Sequence, residues 1–266
     1  MKCLKCLKWM PPFLVVVLAA SPGFATWSIV AVDRSTGQLV IASFTCVARE
    51  RFATFPAEGL MDIQAVVVPG RGIAAAQAGV DRTRANQTLI AEELRKGTAP
   101  IEILSKLRED PRIDRRQFGI VDLEGRSAGH SGVANGQASL DVQGRVSGTD
   151  IVYSIQGNIL ASDDVVKNAV TMFEKAEGSL ADRVMAAMEA ADNAGGDRRC
   201  RCDTEPLTKA PCDTKSAHVA YILEVDATTP EGETKLYIDV TDENIEPHES
   251  ANPVKTLRLR YDARER

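Results

Sequence analysis

Residues 26–32 read TWSIVAV, in which the character of the side chains alternates and β-branched types are common, and the rest of the fold is built around this stretch. That pattern predicts a β-strand. The turn sequence DRSTG follows at residues 33–37, and QLVIAS at residues 38–43 then predicts a second strand, which makes a hairpin. Residues 63–68 and 73–76 repeat this strand–turn–strand pattern around the sequence PGRG. The apolar content of both hairpins indicates strands covered on both faces.

Helices are predicted in two pairs, each pair lying between strands. Periodic apolar residues predict helices over residues 84–96, 101–108, 163–175 and 180–194. Gly97 ends the first helix, and Ser162 and Ser179 cap the third and fourth. Further strands are predicted over residues 117–122, 127–130, 150–156, 217–225 and 235–240.

The order of these elements predicts an α+β fold. Runs of strands separated by paired helices favour two stacked sheets with a helix pair outside each. No alternation of single strands with single helices occurs, which disfavours a doubly wound nucleotide-binding sheet. Residues 132–150 are rich in glycine and polar side chains, so we expect a loop there with at most a short strand. Residues 242–266 mix acidic and basic side chains and are expected to form a charged tail or an edge strand.

The first 25 residues have the pattern of an export signal. Three lysines precede an apolar run at residues 13–20 that is too short to span a bilayer, and Pro22 then breaks the segment. The sequence Gly23-Phe24-Ala25 offers small residues at the positions that a signal peptidase reads, so we expect a cut after Ala25. This divides the chain into a signal at 1–25, a domain at 26–241 and the tail at 242–266. The mature protein is expected to be secreted or periplasmic.

The expected cut leaves Thr26 as the terminal residue. A terminal threonine carries a nucleophilic hydroxyl and, in its own α-amine, a base. A free α-amine has an ordinary pKa of about 7.7–8.0, so part of it is unprotonated at neutral pH. The alternative is that threonine occupies this position by accident, since every exported protein begins with some residue.

Composition excludes several classes of function. The chain has 37 acidic and 32 basic side chains, a net charge of −5, and no basic stripe, so we expect no nucleic-acid partner. No second apolar run approaches the roughly 20 residues of a membrane helix, so we expect no membrane contact after signal removal. Four cysteines follow the signal, and an oxidising compartment favours disulfides over a metal site; they are Cys46, Cys200, Cys202 and Cys212. Three pairings are possible, and the sequence leaves them open.

Several segments together resemble a bacterial family of unknown function. The start TWSIVAVD, the turn TGQL and five later motifs follow the family in order, from Thr26 to Val225; the later motifs begin at residues 76, 116, 156, 173 and 194 and read AQA, RQFGIVD, QGNIL, FEKAEG and AGGDRR. The chain is thereby identified as a member of the family catalogued as domain of unknown function ten-twenty-eight (DUF1028), which is grouped with the N-terminal-nucleophile (Ntn) hydrolases.

This resemblance implies a four-layer αββα sandwich with the nucleophile at Thr26, but no particular substrate. The second strand departs from the family, whose usual sequence A-S-K-F-L-A-V-G contains a lysine that is absent from ASFTCVA at residues 42–48. In some Ntn enzymes a lysine near this place tunes the terminal amine, so its absence favours a non-catalytic alternative.

Five further residues are candidate contacts for the oxyanion or the substrate. Ser28 lies on the same strand face as Thr26. Gly157 and Asn158 offer backbone and side-chain N–H groups, although they equally suit a tight turn. Asp197 and Arg198 either hold an anionic group of the substrate or pair with each other on the surface.

The sequence therefore predicts an exported Ntn-type hydrolase that cleaves an amide bond in a small peptide-like or amino-acid-derived substrate. The alternative is a non-catalytic module that binds peptide or cell-wall ligands on the same fold. We expect no cofactor and no bound metal, since the three histidines lack ligand spacing. A homo-oligomer is possible on this type of sandwich.

Overall fold

The computed structural model describes residues 26–55, 57–79 and 81–264. The predicted signal segment, residues 1–25, lies outside the described residues. Within the described part, no helix is both long and apolar enough to cross a membrane.

The described residues form ten strands and six α-helices. The strands are β1 (Thr26–Asp33), β2 (Gln38–Thr45), β3 (Ala65–Val68), β4 (Gly72–Ala78), β5 (Arg116–Asp122), β6 (Ser127–Ser131), β7 (Leu140–Arg145), β8 (Ile151–Asn158), β9 (Val219–Val225) and β10 (Leu236–Thr241). The helices are α1 (Leu60–Gln64), α2 (Ala85–Lys96), α3 (Pro100–Leu107), α4 (Asp164–Lys175), α5 (Leu180–Asn193) and α6 (Pro253–Ala263).

These strands make two antiparallel sheets, which confirms the α+β class. The first sheet has the order β10-β9-β2-β1-β8-β7, and the second has the order β3-β4-β5-β6. The predicted first hairpin pairs β1 with β2, and β8 pairs along the other side of β1. Strand β1 is therefore an inner strand, as its apolar sequence requires.

Three clusters of buried side chains hold these elements together. One packs the odd-numbered face of β1, including Trp27 and Ile29, against α4, α5 and α6. The second joins the other face of the first sheet, through Val30 and Val32, to the second sheet. The third packs the outer face of the second sheet against α2 and α3. Trp27 and Phe44 stack within the first cluster, with ring centroids 5.2 Å apart.

Helix ends follow the local chemistry that the sequence predicts, with one exception. Gly97 ends α2 with a left-handed φ of 79°, which favours glycine. Ser179 caps α5 in a capping box with Asp182, an arrangement that stabilises a helix by about 1 kcal/mol. For α4 the cap residue is Asp163 rather than Ser162, although the Ser162 hydroxyl accepts a hydrogen bond from the Asp164 N–H at 3.2 Å.

Two segments differ from the prediction, whereas the loop expected at 132–150 contains one short strand, β7, as that prediction allowed. Ile63 and Gln64 belong to the short helix α1 rather than to a strand, which begins at Ala65. Residues 242–266 were expected to form a charged tail or edge strand, but they contain helix α6, which buries Val254, Leu257 and Tyr261. That burial is the physical reason for the correction, because the three residues lie on one face of a helix.

Candidate active site at the start of the first strand

Thr26 is the first residue of β1 and lies between two polar neighbours. It is opposite Thr45 on β2 and opposite Asn158 on β8. Its hydroxyl donates a long hydrogen bond of 3.5 Å to the Thr45 hydroxyl, and only 3% of the residue is exposed. Because side chains alternate along a strand, Thr26 and Ser28 both face the second sheet.

Two side-chain amides hold the backbone carbonyl of Thr26. The Gln77 Nε2 group donates to this oxygen at 3.1 Å, and the Asn158 Nδ2 group donates to it at 3.4 Å. Both amides also donate to Gln117 Oε1, at 2.7 Å and 3.0 Å respectively. Gln117 in turn donates to the Gly157 carbonyl at 2.8 Å. The start of β1 is thereby fixed to both neighbouring strands and to the second sheet.

Gln77 is the centre of this amide network, which we define as Gln64, Gln77, Gln117, Gln156 and Asn158. Its Oε1 accepts hydrogen bonds from the Ser28 hydroxyl, at 2.7 Å, and from Gln64 Nε2. Its Nε2 donates to two oxygens, so the whole hydrogen-bonding capacity of the carboxamide is used. A fully satisfied buried network of this kind specifies one arrangement of its members.

Ser28 contacts the amide network rather than the Thr26 hydroxyl. Its oxygen accepts a hydrogen bond of 2.6 Å from Gln156 Nε2, and Gln156 Oε1 accepts one of 2.7 Å from Ser154. The expected position on the same face as Thr26 is correct, and Ser28 supports the site through Gln77.

A glycine of the second sheet makes room for this network. Gly119 on β5 lies against Gln156 and Ser154, and a Cβ atom at that position would come within 2.1 Å of Gln156 Oε1. No real side chain tolerates that distance, so only glycine lets the amide of the first sheet reach between the sheets.

A small cavity adjoins Thr26, and we call it the Thr26 cavity. Its volume is about 10 Å³, close to the space of one water molecule. Besides Thr26, its lining residues are Thr45, Val47, Phe52, Leu60, Ile63, Gln64, Ala76, Gln77 and Ala78. Among the described residues, none that lines it carries a charge. A group bound beside the Thr26 hydroxyl therefore meets an apolar wall and neutral hydrogen-bonding groups.

Gly157 and Asn158 differ in their relation to Thr26. Asn158 is its strand neighbour and touches its carbonyl, as described above. Gly157 lies opposite Trp27 in the ladder, and a Cβ atom there would come within 2.6 Å of Leu160. Asn158 is thus the better placed of the two as a hydrogen-bond donor.

Asp197 anchors the chain that follows β2. It is fully buried, accepts two hydrogen bonds from the Arg199 guanidinium at 3.0 and 2.7 Å, and accepts the Cys46 N–H at 2.9 Å. Arg198 is exposed, and its Nη1 donates to Gln137 at 3.4 Å. The alternative in which Asp197 pairs with Arg198 is therefore wrong, because the ion pair of Asp197 is with Arg199.

Two disulfides connect the four cysteines, as an oxidising compartment predicts. They join Cys46 to Cys200 and Cys202 to Cys212. The first fixes the residue directly after Thr45, so it holds one end of the Thr26 cavity wall.

His218 is the residue most suited to a metal near this site. A ring nitrogen of His218 lies within 4.8 Å of the Cys46 and Cys200 sulfurs, but the disulfide leaves those sulfurs without thiolate character. Burial, and then the charges of Lys215 and Arg199, lower the pKa of His218 to about 4. Its Nδ1 is 3.8 Å from Asp242 Oδ2, and burial raises the pKa of that carboxyl. Both shifts oppose an ion pair, so the imidazole is neutral at pH 7.

Gln77, Gln117 and Gln156 were not predicted to have a role at the site. Each is a large polar side chain at a buried position of a strand, and its neighbours in that strand are mostly small or apolar. A buried amide has to find hydrogen-bond partners. A glutamine among apolar strand residues therefore indicates a polar contact, and this was the sequence pattern that could have identified these three residues.

A family model described as "Family of unknown function (DUF1028)" matches residues 26–229. A crystal structure of protein SPO2555 from Silicibacter pomeroyi, assigned to the DUF1028 family, is similar with a TM-score of 0.66 and 20% sequence identity, over 91% of this chain and 87% of that one. At this identity the likeness concerns the fold alone. No curated protein matches the chain.

Proposed function

This chain belongs to the DUF1028 family of unknown function, and we propose that it is an exported amidohydrolase with Thr26 as an N-terminal nucleophile. The substrate is a small peptide-like or amino-acid-derived amide. The observation that carries this proposal is the position of Thr26. It begins an inner strand, faces a cavity between two sheets, and has its carbonyl held by two side-chain amides.

The nucleophile and the base of the reaction are both supplied by Thr26 once its amine is free. The hydroxyl oxygen attacks the substrate carbonyl carbon while the α-amine takes the hydroxyl proton. The tetrahedral intermediate collapses as this proton passes to the leaving nitrogen, which departs as an amine. Water then attacks the resulting ester by the same route and releases the acid, which restores Thr26.

The oxyanion of the intermediate requires a preorganised donor, and Asn158 supports this role best. Its Nδ2 group lies beside the attacking residue, and its two N–H groups donate to the Thr26 carbonyl at 3.4 Å and to Gln117 Oε1 at 3.0 Å. To stabilise the oxyanion, Asn158 exchanges the longer of these two bonds for one to the intermediate, while Gln117 keeps its orientation. Loss of one such donor in known enzymes costs about 10²–10³ in rate.

We also propose that the architecture is the four-layer αββα sandwich of Ntn hydrolases. The three core clusters support it, since one lies between the sheets and one on the helix-covered face of each. The strand that begins at Thr26 is inner in its sheet, as a strand that presents a nucleophile between sheets has to be.

Secretion or a periplasmic location is part of the proposal. The two disulfides support it, because such bonds persist in oxidising compartments. The expected signal cut after Ala25 supplies the free amine.

A non-catalytic module that binds peptide or cell-wall ligands is the second candidate. The lining of the Thr26 cavity favours it, because no described lining residue is a lysine or another charged group that could tune the α-amine. The cavity is also too small, at about 10 Å³, to hold a substrate without widening.

The first experiment determines the terminal residue of the exported protein by mass spectrometry of material expressed with its signal. We expect Thr26 with an unmodified amine. An exported form that begins at any other residue overturns the proposed nucleophile.

The second experiment screens amide and ester substrates with the exported protein and with the Thr26→Ala variant. An enzyme loses activity by several orders of magnitude on this change. Thr26→Ser keeps the hydroxyl and is expected to stay active, and Thr36→Ala in the exposed turn is the matched control. Unchanged ligand affinity in Thr26→Ala, with no turnover by the parent protein, supports the binding module instead.

A further inference from the structure

A second small cavity lies beside the Thr26 cavity, and we call it the Arg116 cavity. Its lining residues are Ala76, Gln77, Gly79, Asp81, Asn86, Gln87, Arg116 and Phe118. Ala76 and Gln77 line both cavities, so the two are neighbours on either side of β4 residues. Gln77, whose amide holds the Thr26 carbonyl, is therefore a residue of both cavity walls.

Two buried polar atoms of this lining lack partners. Arg116 and Gln87 are each 5% exposed. Among the described residues, neither Arg116 Nη1 nor Gln87 Oε1 has a hydrogen-bond partner. One atom is a donor and the other an acceptor, and leaving such buried groups unpaired costs about 1–3 kcal/mol each. This pair is suited to a ligand that offers an acceptor and a donor together.

Several other polar atoms around the cavity already have partners. Arg116 Nε donates to Asp110 Oδ2 at 2.8 Å, and Gln87 Nε2 donates to the Ile63 carbonyl at 2.8 Å. Asp81 accepts hydrogen bonds from the Thr83 hydroxyl at 2.8 Å and from the Asn86 N–H at 3.1 Å. Among the described residues of this lining, Arg116 Nη1 and Gln87 Oε1 are the buried side-chain atoms without a partner.

The charges around the cavity select against an anion. The positive charge of Arg116 faces two carboxylates, Asp110 and Asp81. Burial raises the pKa of both, but hydrogen bonds, led by Asn86 on Asp110 and Thr83 on Asp81, outweigh it together with the charge of Arg116, so both pKa values are lowered. Both are ionised at neutral pH, so an anionic ligand would meet a local excess of negative charge. A cationic ligand would in turn meet the guanidinium. A neutral ligand with a carbonyl and an N–H group avoids both conflicts.

We propose that the Arg116 cavity is a substrate subsite that binds an uncharged peptide group, whose carbonyl accepts from Arg116 Nη1 and whose N–H donates to Gln87 Oε1. The inference rests on the proposed function in that this peptide group belongs to the molecule that Thr26 cleaves. The substrate then carries a second amide near the scissile one, as a peptide does and a simple acyl amide does not.

The test measures binding rather than turnover, so it does not depend on catalysis. The probes are N-acetylalanine N-methylamide and the matched methyl ester, which lacks one N–H group. Each is titrated into the exported Thr26→Ala protein and followed by NMR at the side-chain signals of Gln87 and Arg116. Because a peptide group must widen a cavity of about 10 Å³, we expect roughly millimolar affinity.

The expected result is that the amide binds about tenfold more tightly than the ester and shifts both side-chain signals. In Gln87→Met, which removes the acceptor, this preference falls to about twofold or less. If Gln87→Met fails to fold, the amide–ester comparison on the unchanged Gln87 still decides.

Equal affinity for amide and ester, or no shift at Gln87 and Arg116, overturns the subsite and leaves a cavity suited to one structural water. The hydrolase proposal is tested separately, by measuring substrate turnover by the parent protein, so the two proposals can fail independently. If the amide binds selectively but the parent protein shows no turnover, the Arg116 cavity is still a peptide-group site, and the protein is a binding module rather than an enzyme.

Discussion

Gln77 and Gln117 lie directly opposite each other on β4 and β5, and the Gln77 Nε2 group donates to Gln117 Oε1 at 2.7 Å. The pair connects the Thr26 carbonyl on one side to the Gly157 carbonyl on the other. Two glutamines of the second sheet thereby fix the register and spacing of the first sheet at its candidate site.

Replacing Gln117 with leucine is expected to destabilise the protein by about 2 kcal/mol or more. The change removes the shared acceptor of Gln77 and Asn158 and leaves buried polar groups short of partners. Urea denaturation of the purified protein measures this loss in the free energy of unfolding. Gln137→Leu at an exposed position is the matched control and should stay within about 0.5 kcal/mol. Equal effects of the two changes would contradict a structural role for the network.

A methyl group at Gly119 is expected to be poorly tolerated. Its Cβ would meet Gln156 Oε1 at 2.1 Å and Ser154 Oγ at 2.7 Å, so the network has to move or break. We expect Gly119→Ala to lower the free energy of unfolding by about 1–3 kcal/mol. Gly59→Ala, where a Cβ would meet no atom within 4 Å, should have a smaller effect in the same thermal denaturation measurement.

The two disulfides should differ in their contribution to stability. Cys46 and Cys200 are 154 residues apart in sequence, whereas Cys202 and Cys212 are 10 apart. Because a longer closed loop removes more entropy from the unfolded chain, the Cys46→Ser/Cys200→Ser variant should lose more stability, about 4–5 kcal/mol against about 3. Denaturation of both double variants under oxidising conditions tests this order, and the reverse order would refute it.

Burial of neutral His218 predicts a specific dependence of stability on pH. Its pKa is about 4 in the folded state and about 6.5 when unfolded, so the unfolded chain binds more protons between these values. Stability from this group is complete above pH 6.5 and falls as the pH drops toward 4, by on the order of 3 kcal/mol.

The difference between the protein and its His218→Gln variant isolates this contribution, since the nearby Asp242, Lys215 and Arg199 are common to both. We expect the parent to lose more stability than the variant between pH 6.5 and 4. If the free energy of unfolding of parent and variant falls in parallel over that range, His218 binds protons equally in the folded and unfolded protein and its pKa is not lowered.

Most strands and helices could be predicted from the sequence, because their formation and their ends depend on residues that are close together along the chain. The alternation in β1, the left-handed Gly97 and the capping serine Ser179 all act within one element. Helix α6 was missed because charged side chains surround its apolar face. Its signals were nevertheless present, with Asn252 as the cap and Pro253 in the first turn.

The candidate site was only partly predictable. Thr26 was identified from the expected signal cut and Asn158 from the end of a strand, and the register places the two side by side. The contacts of Gln77 depend on how two sheets stack, and its partner Gln117 is 40 residues away along the chain. No local pattern encodes such a distance, although a glutamine in a strand covered on both faces indicates that a partner must exist.

The groups that orient Thr26 are carboxamides and hydroxyls, and neither type gains or loses charge over the ordinary pH range. The hydrogen-bonding frame around Thr26 therefore keeps one set of donors and acceptors whether the surroundings are acidic or alkaline. Among the described residues that contact Thr26 or line its cavity, no side chain is ionisable, so a free threonine amine would be the group there that responds to pH.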